Sequence, residues 1–153
     1  MLIAALLLQA APAACPVADA QLPPALAGWT ARAERLASGR AVVLAPADPA
    51  SSPFAAKHVD AGKPGKAAVA YFAVAKAGLY GLALDQKAWI DVYGEKGDTA
   101  LASTGHAHGP PCSTIRKIVR FALKPGRYRA LVSGIEKPTA RLMLVTGPWE
   151  KPS

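Results

Sequence analysis

The sequence predicts an all-β fold, a two-sheet antiparallel β-sandwich with a jelly-roll-like arrangement of seven to nine strands. Two observations carry this expectation. From Ala68 onward, short apolar runs with period-two alternation recur with turn-forming residues between them, as half-buried strands laid side by side require. The chain of 153 residues, 52% hydrophobic and 18% charged, is long enough for one core and too short for two comfortable ones.

The elements follow in chain order. Met1 to Leu8 is continuously apolar and runs into Gln9-Ala10-Ala11-Pro12-Ala13-Ala14, so residues 1–13 read as an export signal ending in small residues, although no basic residue precedes the apolar run. Residues 14–53 read as an extended lead-in and loop, because prolines at 16, 23, 24, 46, 49 and 53 remove amide donors that regular structure uses. Within it, Trp29 to Leu36 suggests a short helix or an irregular strand. Residues 54–147 are expected to form the sandwich, with a turn region from His58 to Lys66. Ala68 to Val74 is the first clear strand; Tyr80, Leu82 and Leu84 alternate along the next. In Trp89 to Tyr93, Ile90 and Val92 share one face and Trp89, Asp91 and Tyr93 the other. Ile115, Val119, Phe121 and Leu123 share a face that Lys117 interrupts, with Arg116, Ile118 and Arg120 opposite. Lys124-Pro125-Gly126 is a turn by its chemistry, Tyr128, Ala130 and Val132 continue the next strand, Leu142 and Leu144 mark the last, and residues 148–153 read as a tail. No later stretch approaches the roughly 20 apolar residues of a membrane-spanning helix.

Two units resemble each other: Phe72-Ala73-Val74-Ala75-Lys76-Ala77-Gly78-Leu79-Tyr80 and Phe121-Ala122-Leu123-Lys124-Pro125-Gly126-Arg127-Tyr128. Each is a strand end opening on Phe, a glycine turn and a strand led by Tyr. They read as a recurrent hairpin.

Two cysteines in an exported chain read as one disulfide, Cys15–Cys112, and the protein as periplasmic or secreted. On the loop-entropy model such a closure stabilises by about 4–5 kcal/mol. Acylation of Cys15 is the competing reading, and Pro12-Ala13-Ala14 lack the large aliphatic residue usual at such processing sites. Formal net charge is +8, and residues 113–153 hold nine cations against two anions. A basic sheet face formed by Arg116, Arg120, Arg127, Arg129 and Arg141 would concentrate anionic partners; solvation of an outer face is the plainer account of the same charges.

The polar segment from Ser103 to Thr114 contains His106 and His108. With His58 they are the candidate copper or zinc ligands, since imidazole suits both metals. Carboxylates are scattered, and Ser103 and Ser113 lie in no nucleophile-elbow motif. No catalytic residue is assigned and no cofactor is required. Trp89 and Tyr93 share a strand face that would stack sugar rings, unless that face is core. Nucleic acid is not expected as a partner, because no recognition motif accompanies the basic charge.

The Phe-x-Leu-x-Pro-Gly-x-Tyr pattern of residues 121–128, with Trp89-Ile90-Asp91-Val92 before it, resembles the pre-peptidase C-terminal type of bacterial β-sandwich, over about residues 68–145. The whole chain is similar to small exported alphaproteobacterial proteins sometimes labelled homogentisate 1,2-dioxygenase. That label implies an iron enzyme with a His/His/Glu site, and no Glu lies beside His106 and His108. The expectations therefore rank as a non-catalytic binding protein for an anionic or glycan partner of the envelope, then a copper or zinc protein, then an iron enzyme.

Overall fold

The alternating runs become strands that close into two sheets of unequal width. The computed structural model describes residues 14–147 and Trp149. The signal expected over 1–13, and the tail over 148–153 apart from Trp149, lie outside the described residues. The strands are β1 (Arg32–Ala33), β2 (Ala41–Leu44), β3 (Lys66–Val74), β4 (Gly78–Leu84), β5 (Trp89–Gly94), β6 (Gly105–His108), β7 (Lys117–Leu123), β8 (Gly126–Ile135) and β9 (Ala140–Thr146). Among the described residues, one sheet has six strands in the order β1-β2-β9-β4-β7-β6, the other three in the order β3-β8-β5. All pairings are antiparallel except the short β1–β2 pair. The all-β sandwich is as the sequence predicts.

Between the sheets the inward residues of alternate positions meet. Leu82, Leu84, Val119, Phe121, Leu123, Leu142 and Leu144 of the wide sheet pack on Phe72, Val74, Ile90, Val92, Ala130 and Val132 of the narrow one. Each sheet also buries part of its outer face. Leu26 and Trp29, from a 3₁₀ segment at Pro24–Thr30, and Trp149 cover Ala83, Ile118, Met143 and Val145. On the narrow sheet, a short helix α1 (Pro53–His58) lays Phe54 and Ala55 over Ala67, Tyr93 and Leu131. Pro53 at its first position and the Ser52 hydroxyl, which accepts from the Ala55 amide at 3.3 Å, start that helix where orphan amides need partners.

Several local expectations change. The lead-in contributes β1 and β2 to the wide sheet, so the sandwich begins before residue 54; Ala41 and Val42 are buried, but the run is too short for alternation to stand out among prolines. Ile115 does not share the Val119 face. It precedes β7 and packs in the outer cluster with Ile118. Within the polar segment, Gly105–His108 with both histidines forms strand β6.

The repeated unit is a pair of arches, not hairpins. β3 lies in the narrow sheet and β4 in the wide one, and β7 and β8 stand in the reverse relation, so both glycine turns carry the chain across the core. β3 pairs with β8 and β4 with β7, Val74 opposite Gly126 and Gly78 opposite Leu123. The arches therefore lie side by side. The same bond fastens each: Tyr80 Oη donates to the Lys76 carbonyl at 2.7 Å, and Tyr128 Oη to the Lys124 carbonyl at 2.6 Å. The two Phe/Tyr pairs also face each other across strands, Phe72 opposite Tyr128 and Tyr80 opposite Phe121, and the Phe72 and Tyr128 rings stack at 5.5 Å.

Cys15 and Cys112 form a disulfide across a sequence separation of 97. Polar bonds reinforce it. The Asp19 amide donates to the Cys112 carbonyl at 2.9 Å, the Asp19 carboxylate accepts from the Thr114 amide and hydroxyl, and Trp29 Nε1 donates to Thr114 Oγ1 at 2.8 Å. The staple thus holds the 3₁₀ lid on its sheet. At the other end of the lid Gly28 meets Gly39, where a Cβ would stand 1.7 Å from a carbonyl oxygen.

Thermal unfolding of the Cys15→Ser, Cys112→Ser double variant is expected to show a loss of up to about 4–5 kcal/mol, with exposure of Trp29; unchanged stability would mean the polar bonds alone seat the lid. Tyr80→Phe and Tyr128→Phe should each lose about 0.5–1 kcal/mol, the usual worth of one hydrogen bond, measured by denaturant titration.

Candidate functional site

The three histidines do not converge. His106 and His108 lie opposite Val119 and Lys117 on the edge strand β6, and both are exposed. His58 ends α1 on the narrow sheet, where its ring packs at 4.6 Å from both Phe54 and Tyr93 and its Nε2 stands 3.4 Å from Asp98. The described residues contain no group of three or more His, Cys, Asp or Glu placed to hold a metal, and Cys112 is committed to its disulfide. The expected convergence fails because β6 and α1 belong to different layers.

The five arginines do not make one face either. Arg120 and Arg141 lie on the outer side of the wide sheet, over Trp149 at 5.4 Å and Trp29 at 5.8 Å; Arg141 also donates to the Trp29 carbonyl at 2.8 Å. Arg129 is on the narrow sheet, stacked 4.0 Å from the Phe54 ring and donating to the carbonyls of Gly94 and Gly97. These three guanidiniums hold lids and a loop in place. Arg127 pairs with Glu95 at 3.5 Å, and Arg116 bonds His108 Nδ1 at 2.9 Å. Tyr93 is core: α1 buries it, its ring meets Phe54 edge-on at 5.1 Å, and burial, with the nearby Asp91 charge, pushes its phenol above the usual range. It cannot stack a ligand.

Trp89 can. It opens β5 with 59% of its surface exposed, whereas Trp29 and Trp149 are buried. Its outward position follows from alternation, since Ile90 and Val92 take the core side. The indole rests on Gly134 of β8, where an added Cβ would lie 3.4 Å from the ring carbon Cδ1. Two ammonium groups lie over the ring, Lys63 Nζ at 5.0 Å and Lys117 Nζ at 5.6 Å from its centre, distances at which the ring quadrupole attracts a cation.

Lys63 is brought there by the 60–65 turn. Gly65 and Gly134 both have positive φ, and a Cβ on Gly65 would come within 2.8 Å of the Gly134 backbone, so the turn lies flat on β8 only as glycine. Lys63 also pairs with Asp60 at 3.3 Å. Lys117 comes from the start of β7 and is half-buried, with no ion-pair partner among the described residues. Burial holds its ammonium pKa below the ordinary lysine value of 10.5, against the opposing field of Asp91. Beside it, across the β6–β7 ladder, stands the His108–Arg116 pair. The result is an aromatic plane with Lys63 and Lys117 over it and with Asp60, paired to Lys63, and Asp91, on the same strand face, at its margin.

Sequence reasoning found Trp89. It missed Lys63, a turn residue on another layer, and Gly134. Lys117 did leave a signal, as the charge that interrupts an otherwise apolar face. Compared with protein-family models, with curated proteins and with solved structures, the chain matches none.

Gly65→Ala is expected to lower stability by a few kcal/mol, as a backbone clash at positive φ requires, and to raise acrylamide quenching of tryptophan fluorescence as the turn lifts from the Trp89 ring. A variant with wild-type melting and quenching would show that the turn does not depend on this glycine.

Proposed function

We propose that this protein is a non-catalytic binding protein of the periplasm or cell exterior, and that it holds an acidic glycan of the cell envelope on Trp89. The observation that carries the reading is an exposed tryptophan ring with two ammonium groups at 5.0 Å and 5.6 Å from its centre. A sugar ring presents an apolar C–H face, which suits an indole plane, and a rim of hydroxyls and charge, which suits cations and carboxylates at the margin. Lys63 and Lys117 supply donors for a uronate carboxylate or a sulfate, and Asp60 and Asp91 accept from hydroxyls. The half-buried Lys117 ammonium acts in a lower local dielectric than an exposed lysine, so its pairing with an anion is stronger. The disulfide supports an oxidising compartment.

Calorimetric titration of the purified protein with an oligogalacturonate, against a neutral cello-oligosaccharide of equal length, tests this reading. Expected are binding of the acidic oligomer alone, a loss of about tenfold in affinity for Trp89→Ala, in line with about 1–2 kcal/mol for a desolvated aromatic contact, and a fall in affinity from about 20 mM to about 500 mM salt as screening shortens. Equal binding by Trp89→Ala and wild type, or affinity indifferent to salt, would overturn it.

The pH dependence follows from Lys117. Its ammonium loses its proton below pH 10.5, earlier than an exposed lysine, so affinity for the acidic oligomer should fall as pH rises through that window. Lys117→Met should remove this alkaline limb and lower neutral-pH affinity by about tenfold. The stability sign is opposite: between the depressed folded value and 10.5 the unfolded chain binds more protons, so the Lys117 contribution to stability rises with pH there.

A further inference from the structure

We propose that the free edge of β3 accepts an extended segment of another polypeptide as a fourth strand of the narrow sheet, apolar at alternate positions and acidic near one end. Among the described residues β3 is an edge strand, bonded to β8 on one side only. Across its other edge, among the described residues, the chain makes one isolated antiparallel bridge: the Ala47 and Ala67 amides and carbonyls exchange two bonds of 2.9 Å. Strand geometry points the amide and carbonyl of alternate residues the same way, so Val69, Tyr71 and Ala73 present theirs along the line that Ala47 begins.

That line runs into a groove of about 1200 Å³ between β3 and the β1–β2 margin of the wide sheet. Its floor is apolar, formed by Leu36, Val42, Leu44, Phe72 and Tyr128, residues belonging to or packed against the inter-sheet core. A strand added beside β3 would lie over β2 at the usual sheet separation of about 10 Å and would set every second side chain on that floor. This is strand addition, in which backbone bonds give affinity and alternate pockets give selectivity.

Two further observations favour such an occupant. Edge strands are commonly guarded by a charge, a proline or a bulge, and from Ala67 to Val74 β3 has no charged residue and no proline; its register irregularity falls before Ala67. The opposite edge of the same sheet is covered in part, with the Leu101 amide donating to the Val92 carbonyl at 2.8 Å. Charge at the groove decides the chemistry of the partner. Arg32, Arg35 and Arg127 face Glu34 and Glu95 around the rim, and Arg127 and Glu95 pair with each other, which leaves two arginines against one glutamate at the β1 end. A second copy of this chain is disfavoured because its own β3, uncharged from Ala67 to Val74, brings no carboxylate to those arginines.

The test is amide hydrogen exchange by NMR on the whole protein, with the peptide acetyl-Asp-Thr-Val-Thr-Val-Thr-Val-amide as probe. Saturating peptide should slow exchange at Val69, Tyr71 and Ala73 at least tenfold and leave Ala70 and Phe72, bonded to β8, unchanged. Replacing the peptide Asp by Lys should weaken binding several-fold. Tyr71→Pro, which removes an edge donor, should abolish protection by the peptide while native protection at Ala70 certifies the fold; Val69→Lys is the second variant if that one does not fold. No protection by the peptide at millimolar concentration overturns the proposal. So does equal binding of the Lys peptide, or protection of the same amides that rises with protein concentration alone and marks a second copy as the occupant.

Discussion

Three strands laid against six cover only part of the wider sheet, and the rest of the structure answers to that inequality. A sheet with an apolar face must bury it. Where β3, β8 and β5 pass over the wide sheet, leucine, valine and phenylalanine from both layers do so. Both outer faces carry apolar residues too, and each needs a lid: the 3₁₀ segment with Trp29 on one side and α1 with Phe54 on the other. The lids are short and would bind weakly alone. They are held by long-range fasteners, the Cys15–Cys112 disulfide with Asp19 and Thr114 for the first, and Arg129 with the Lys57–Asp98 pair for the second.

The inner layers were legible in the sequence because alternation in β3, β4, β5 and β7 to β9 is long enough to register. The disulfide was legible because only one pairing exists for two cysteines. The repeated Phe…Gly…Tyr unit was seen, but its meaning was not. A glycine turn between two alternating strands has the same composition whether the strands pair or part, and only the position of their partners distinguishes a hairpin from an arch. The tyrosine is the one local hint. Each arch bonds its tyrosine hydroxyl four residues back, across the bend, a contact that secures a corner where no ladder hydrogen bond joins the two flanking strands.

The candidate site was half legible for a related reason. Charge read along a strand shows which residues leave the core but not what they then meet. Arg120, Arg129 and Arg141 leave it and find aromatic rings of the lids, so their charge is spent on architecture. Guanidinium suits that duty, being planar and weakly hydrated. The two lysines that reach Trp89 meet an exposed ring instead. His58 shows the converse: one histidine is drawn into a lid cluster with Phe54 and Tyr93 while the other two stay on an edge strand, a separation that spacing along the chain does not encode.

The two surfaces assigned to ligands differ because the narrow sheet ends differently on its two sides. At β5 the edge is partly occupied by the 101 region, and what the proposed site offers is side chains, the Trp89 ring and the ammonium groups over it. At β3 the backbone itself is offered, above an apolar floor that the narrow sheet fails to cover. A hydroxylated, charged ring has no use for a row of amides spaced for a strand, and an extended peptide gains little from a single aromatic plane. Unequal sheet width leaves the β3 side open and alternation leaves Trp89 exposed, and the residues at each place set the chemistry proposed for it.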